Sequence, residues 1–158
     1  LGARLPSAET LRDVNGTPLS IDVQPDAGAL ALQAGGWYAF HRFPWFASAS
    51  AVYSQFGDGN QDFDPGNAVN LGAFVQYALN FRAALIAGID ARHAQSNREN
   101  NTTVLNTGGN LLMARLGTAW RIGNELVISL AWQTTAIDNL NGEQTEGDYF
   151  RAAFAYDF

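Results

Sequence analysis

Three groups of residues have types and spacings suited to chemistry. In Asp58-Gly59-Asn60-Gln61-Asp62-Phe63-Asp64, the side chains of Asp58, Asn60, Asp62 and Asp64 set an oxygen donor at every second position, as at the start of a calcium-binding loop. The glycine such a loop needs at its sixth position is here Phe63, and the bidentate glutamate at its twelfth is Val69. The segment is therefore a weak Ca²⁺ candidate, with a solvated acidic loop as the bland alternative. The second group is His93 followed by Gln95, Ser96 and Asn97, the residue types of a Ser–His–Asn nucleophilic site. Strand residues share a face only when two apart. Ser96 is three from His93, so a continuing strand would turn it elsewhere. The third group is a set of polar side chains inside otherwise apolar runs: Gln33, Asn70, Gln76, Arg82, Asp90, Arg92, Arg115, Gln133 and Arg151. The chain has no cysteine and two histidines, which exclude a disulfide framework, a zinc ribbon and thiol catalysis. No catalytic residue and no cofactor is assigned, and the chain is expected not to be an enzyme.

The elements that carry these residues announce themselves by a period of two. Val69, Leu71, Ala73, Val75, Tyr77 and Leu79 alternate with Asn70, Gly72, Phe74, Gln76 and Ala78. Phe81, Ala83, Leu85, Ala87, Ile89 and Ala91 alternate with Arg82, Ala84, Ile86, Gly88, Asp90 and Arg92. The same rhythm runs through residues 30–40, 112–122, 126–134 and 150–158, and more weakly through 46–56. A helix would space its apolar residues by three and four. These are strands, and the fold class expected is all-β. Connections alternate between tight turns (42–45, 79–81, 122–125) and long Asn/Asp/Gly-rich loops (7–28, 57–68, 95–109, 137–148). That is the wiring of one up-and-down antiparallel sheet spanning a single domain, residues 1–158.

A water-soluble barrel and a transmembrane barrel share this wiring, and the composition of the faces separates them. The polar face is built of Gly, Ala and Ser with a few Arg, Asp and Gln, too sparsely charged for a solvated exterior. The apolar face carries aromatics near strand ends, among them Tyr38, Phe40, Trp45, Tyr77, Trp120, Trp132 and Phe158, as a membrane-interface girdle requires. Runs of about ten residues match the ~9–11 of a tilted membrane-spanning strand. The charges sort accordingly. The four long loops hold twelve of the fifteen acidic residues, whereas seven of the nine arginines lie in strands and tight turns. The net charge of −6 and the absence of lysine argue against nucleic acid as a partner. The nine polar residues of the third group are thus lumen-lining candidates. In a narrow barrel they form an ion-paired plug; in a wider one they line a pore beside Phe74, Ile86, Met113 and Val127.

The closing run from Asp148 to Phe158, with Phe150, Phe154, Tyr156 and Phe158 on one face, resembles the terminal strand that bacterial outer-membrane proteins present to their barrel-assembly machinery. Together with Gly2-Ala3-Arg4-Leu5-Pro6-Ser7, Asn106-Thr107-Gly108-Gly109 and Asp138-Asn139-Leu140-Asn141-Gly142, it is similar to the outer-membrane transporter family of the phenol meta-cleavage pathway. The similarity covers the later part of a typical member. The chain departs from the family in having no lysine and no upstream strands. The resemblance implies an outer-membrane barrel of a Gram-negative-type bacterium, embedded in outer-membrane lipid and taking up small aromatic or hydrophobic solutes, with long loops extracellular and short turns periplasmic. It favours eight visible strand segments as the C-terminal part of a barrel of about twelve over a complete eight-stranded one. The competing functions are a non-transporting scaffold that anchors a protein complex in the outer membrane and, as a minor option, a lipid-modifying enzyme.

Overall fold

A computed structural model describes residues 1–6, 9–20, 24 and 27–156. The expected facing of Phe158 lies outside the described residues. Eight strands form one antiparallel sheet: β1 (Gly2–Arg4), β2 (Ala31–Arg42), β3 (Trp45–Phe56), β5 (Ala68–Ala78), β6 (Ala83–Ala94), β9 (Gly109–Ile122), β10 (Leu126–Leu140) and β11 (Tyr149–Tyr156). They pair in chain order, each with its sequence neighbour. The short pieces β4 (Phe63–Asp64), β7 (Arg98–Glu99) and β8 (Thr102–Thr103) make a separate three-stranded sheet within the long loops. Two-residue strands leave no periodicity in a sequence, which is why only the eight long-sheet segments were legible there.

The long strands end later at the loop side than alternation alone indicates. β10 continues to Leu140, so the last long loop is 141–148 instead of 137–148. The cause is a bulge. Thr135 pairs with Met113 and Ile137 with Leu112, leaving Ala136 as an extra residue. The bulge resets the alternation, so that Ile137 joins the apolar face and Asp138 the polar one. A tight turn is equally local: the Asn80 side-chain oxygen accepts from the backbone N–H of Arg82 at 2.7 Å and of Ala83 at 2.9 Å, closing the β5–β6 hairpin. β6 therefore begins at Ala83, and Arg82 lies in the turn.

Cross-strand partners share a face, so the register assigns every side chain. One row reads Trp37, Ser50, Gly72, Asp90, Met113, Thr135; the next reads Ala39, Ser48, Phe74, Gly88, Arg115, Gln133, Tyr149. Rows of the opposite face read Phe40, Ala47, Val75, Ala87, Leu116, Trp132, Phe150 and Trp45, Tyr77, Leu85, Thr118, Leu130, Ala152. Burial is inverted relative to a protein in water. Ser54, Gln133 and Met113 on the polar face are 5%, 4% and 6% exposed, while Leu85, Leu116, Phe150 and Phe154 on the apolar face are open.

Among the described residues the sheet does not close: β1 reaches only Ala31–Gln33 of β2, Ala34–Arg42 have no strand partner on that side, and β11 pairs with β10 alone. Deleting Ala136 should remove the bulge and leave Thr135 opposite Met113 and Ile137 opposite Leu112 in regular alternation. The expected outcome is hydrogen exchange at the amides of residues 137–140 that is no faster than in the parent, with those of 126–133 unchanged; faster exchange at 137–140 would contradict this register.

Candidate functional site

The centre of the polar face is an ion-paired cluster spanning β6, β9 and β10. An Arg115 Nη2 group donates to Asp90 Oδ2 in a close salt bridge. Arg115 Nε donates to Gln133 Oε1 at 3.2 Å. The Gln133 amide donates onward to Asp90 Oδ2 at 3.4 Å and to Met113 Sδ at 3.3 Å. Gln133 is thus satisfied at both ends despite its burial, which a buried carboxamide requires. The chain makes room for this cluster with small residues. A Cβ at Gly72 would lie 3.1 Å from Ser50 Oγ and 3.4 Å from Asp90 Oδ1, and one at Gly88 would lie 3.0 Å from Phe74 Cβ.

Eight of the nine lumen candidates share this face. Gln33 donates to Ser54 Oγ at 3.2 Å near the long-loop end. Asn70 stands opposite Arg92, Gln76 opposite Ile86, and Arg151 opposite Ala131 nearer the short turns. Arg82 is the exception: its backbone carbonyl accepts from the Arg121 N–H at 2.7 Å in the turn before β6. Of the set, the structure joins Asp90, Arg115 and Gln133 directly. Trp37, in the row of Asp90 and 77% exposed beside the unpaired length of β2, is a polar-face aromatic that the sequence pattern did not single out. Gly35 and Gly36 just before it broke the apolar stripe there. Met113, Phe74, Ile86 and Val127 add apolar surface to the same face, so the arrangement offers fixed positive charge beside greasy and aromatic groups.

The other two constellations do not assemble as chemistry. Ser96 Oγ donates to the Thr107 carbonyl at 3.0 Å and accepts from Asn141 Nδ2 at 2.9 Å. His93 Nδ1 instead meets Asn110 Oδ1 at 2.7 Å across the β6–β9 pair. Asn110 had no signal in the sequence beyond being a polar residue at an apolar strand start. Asn60 Nδ2 donates to Thr10 Oγ1 at 3.2 Å. Asp58, Asp62 and Asp64 line a polar depression of about 470 Å³ together with Arg98, Asn100 and Asn101. Among the described residues, no three His, Cys, Asp or Glu side chains converge as a metal site would need.

The loops themselves are stitched by asparagines. Asn67 Oδ1 accepts from the Phe56 N–H, and Asn97 Oδ1 from the Gly66 N–H. Asn141 Nδ2 donates to the Thr107 carbonyl at 2.9 Å, its N–H to the Gly108 carbonyl at 3.1 Å, and Asn106 Oδ1 accepts from Glu143 N–H at 3.1 Å. Gly142, at φ +80°, packs so tightly on the Asn106 side chain that no Cβ fits. Asn106-Thr107-Gly108 and Asn141-Gly142, distant in sequence, are one joint.

Replacing Asp90 with Ala strands Arg115 and the Gln133 amide. Both charged groups keep some contact with solvent, so the expected loss is about 1–2 kcal/mol, below that of a fully buried pair. The urea midpoint of refolded protein measures it, and Asp90→Asn should recover part of the loss. No family model matches the chain, and no curated protein matches it in sequence.

Proposed function

We propose that this sheet is the greater part of a transmembrane β-barrel in the outer membrane of a Gram-negative-type bacterium, through which small solutes cross passively. One observation carries the proposal: the buried side chains Ser54, Met113 and Gln133 lie on the polar face, whereas most of the large exposed hydrophobics of the strands lie on the apolar one. In water this arrangement exposes Leu, Ile, Phe and Trp over most of one surface, far beyond the few hundred Å² of apolar patch usual on a soluble monomer. In hydrocarbon it is the stable arrangement. The aromatic contacts support it. Trp45 and Tyr77 meet at 4.7 Å between ring centres near the short turns, and Phe43 stacks on Phe81 at 6.0 Å within them, where an interfacial belt belongs.

Hydrocarbon leaves no water to satisfy backbone groups, so neither edge of the sheet can remain open there. The unpaired length Ala34–Arg42 and the free edge of β11 are joined, in this proposal, by further strands, about twelve in all, as in the transporter family the sequence resembles. The wholly exposed β11, with Phe150, Phe154 and Tyr156 on its apolar face, is suited to being handed over by the barrel-assembly machinery as an edge. The acidic loops face the exterior and the short turns the periplasm. Within the lumen, Arg92, Arg115 and Arg151 beside Phe74, Ile86 and Met113 suit anionic or polarisable solutes, small aromatic compounds among them.

Purified protein in planar bilayers should conduct, and liposomes containing it should swell in small aromatic solutes. Absence of both, with a co-purifying protein partner, would overturn uptake in favour of a scaffold. On this cysteine-free chain, Asp62→Cys should react with an impermeant reagent on intact cells and Asn124→Cys should not; the reverse pattern would contradict the orientation. Phe154→Arg should cost about 2–4 kcal/mol if the residue lies near mid-bilayer, read from the unfolding midpoint in liposomes.

A further inference from the structure

At the short-turn end of the sheet, two arginines stand directly across a strand pair. Ala83 pairs with Trp120, and one step further the Arg121 N–H donates to the Arg82 carbonyl at 2.7 Å. Like charges set opposite each other repel. Among the described residues neither guanidinium takes part in a salt bridge. The described acid of this end, Glu125, is engaged elsewhere, its Oε2 accepting from the Tyr156 O–H at 2.5 Å. Gln76, half-buried on the polar face, also has no hydrogen-bond partner among the described residues. Gln33, Gln133 and Arg115 of that face each have one.

Arg82, Arg121 and Gln76 line one depression of about 320 Å³, and no carboxylate is among its lining residues. That volume is at the low end of the ~300–1,000 Å³ of small-molecule sites. Ala78, Ala84 and Ala119 stand side by side across the middle of it. Gln76 lies two residues beyond that row on one side, and Arg82 and Arg121 lie two residues beyond it on the other. Phe43 and Phe81, stacked at 6.0 Å, border the same depression. Two permanent charges at one end and a small apolar stretch beside them select an anion with an organic part. Guanidinium forks match phosphate oxygens, and two of them balance a dianion where a carboxylate would neutralise only one.

We infer that this depression binds a dissolved phosphate monoester, its phosphoryl group between Arg82 and Arg121 and its organic part over the alanine row toward Gln76. The inference names a solute class for the short-turn mouth and rests on the uptake reading above only for the side from which the ester arrives. Binding itself is read without transport.

Purified protein refolded in detergent is titrated calorimetrically with butyl phosphate, and with pentanoate as a singly charged probe carrying the same alkyl group. The parent should bind one butyl phosphate per chain, about tenfold more tightly than pentanoate. Arg82→Gln and Arg121→Gln should each weaken it about tenfold, as the loss of a charge-assisted hydrogen bond implies. Arg121→Lys, which keeps the charge without the fork, should fall between parent and Arg121→Gln. Arg42→Gln removes a charge from the same end but outside the depression, and should bind as the parent does. Equal affinity for the two probes, or an equal loss in Arg42→Gln, would reduce the effect to diffuse attraction and overturn the site. In liposomes, displacement of butyl phosphate by phosphatidic acid but not by phosphatidylglycerol would overturn a dissolved ligand in favour of a lipid headgroup. Binding without conductance would overturn passive uptake and leave the site standing; conductance without binding would do the reverse.

Discussion

One constraint organises the molecule: an unbroken antiparallel ladder in which facing side chains lie on the same side of the sheet. From β2 to β11 the register runs without a slip except at Ala136. Because the side-chain period is two, a slip of one residue anywhere would send arginines to the apolar face and leucines to the polar one. The cost of such a slip is high on both faces. On one side it would break the satisfied Asp90–Arg115–Gln133 cluster; on the other it would set a guanidinium among Leu, Ile and Trp. The single bulge obeys the same logic, since it occurs where the straight alternation would have turned Ile137 inward.

The ladder also concentrates the loops. Every long connection leaves the sheet at the same end, so segments far apart in the chain become neighbours there. Asn106 and Asn141 couple the loop after β6 to the loop after β10, and Asn60 and Gln61 reach Thr10 and the Leu19 carbonyl from the loop after β3. Asparagine suits this work because it offers a donor and an acceptor and tolerates the left-handed backbone, as Asn100, Asn101 and Asn106 show with φ of 50°, 60° and 58°. The loop end is thereby an ordered layer. At the opposite end the turns are short and one side-chain oxygen, that of Asn80, suffices for a hairpin.

Much of this was legible in the residues. Alternation identified the long strands and the facing of Gln33, Asn70, Gln76, Asp90, Arg92, Arg115, Gln133 and Arg151, because facing is a local property of an extended chain. What alternation cannot convey is which of them meet. The pairing of Asp90 with Arg115 and Gln133 depends on the relative register of three strands, which the turn at 123–125 and the intervening loop lengths set. The His93–Asn110 contact was hidden for the same reason, and proximity in sequence pointed instead to Ser96, whose hydroxyl serves the loop joint. Boundaries erred at the loop end. Asp138, Asn139 and Leu140 read as loop residues by type, yet the bulge carries them on as strand. Arg82 erred the other way, its alternation continuing through a residue that the Asn80 side chain draws into the turn.

The central claim is that the apolar face of this sheet meets lipid and the polar face does not. It is tested most directly by spin labels placed one at a time along residues 112–119 of β9 in protein reconstituted into liposomes, with collisions measured against oxygen and against a water-soluble nickel chelate. Lipid on the apolar face predicts a period of two, with oxygen access highest at 112, 114, 116 and 118 and lowest at 113, 115, 117 and 119. Labels that show no alternation, or that are most exposed to oxygen at the odd positions, would contradict it.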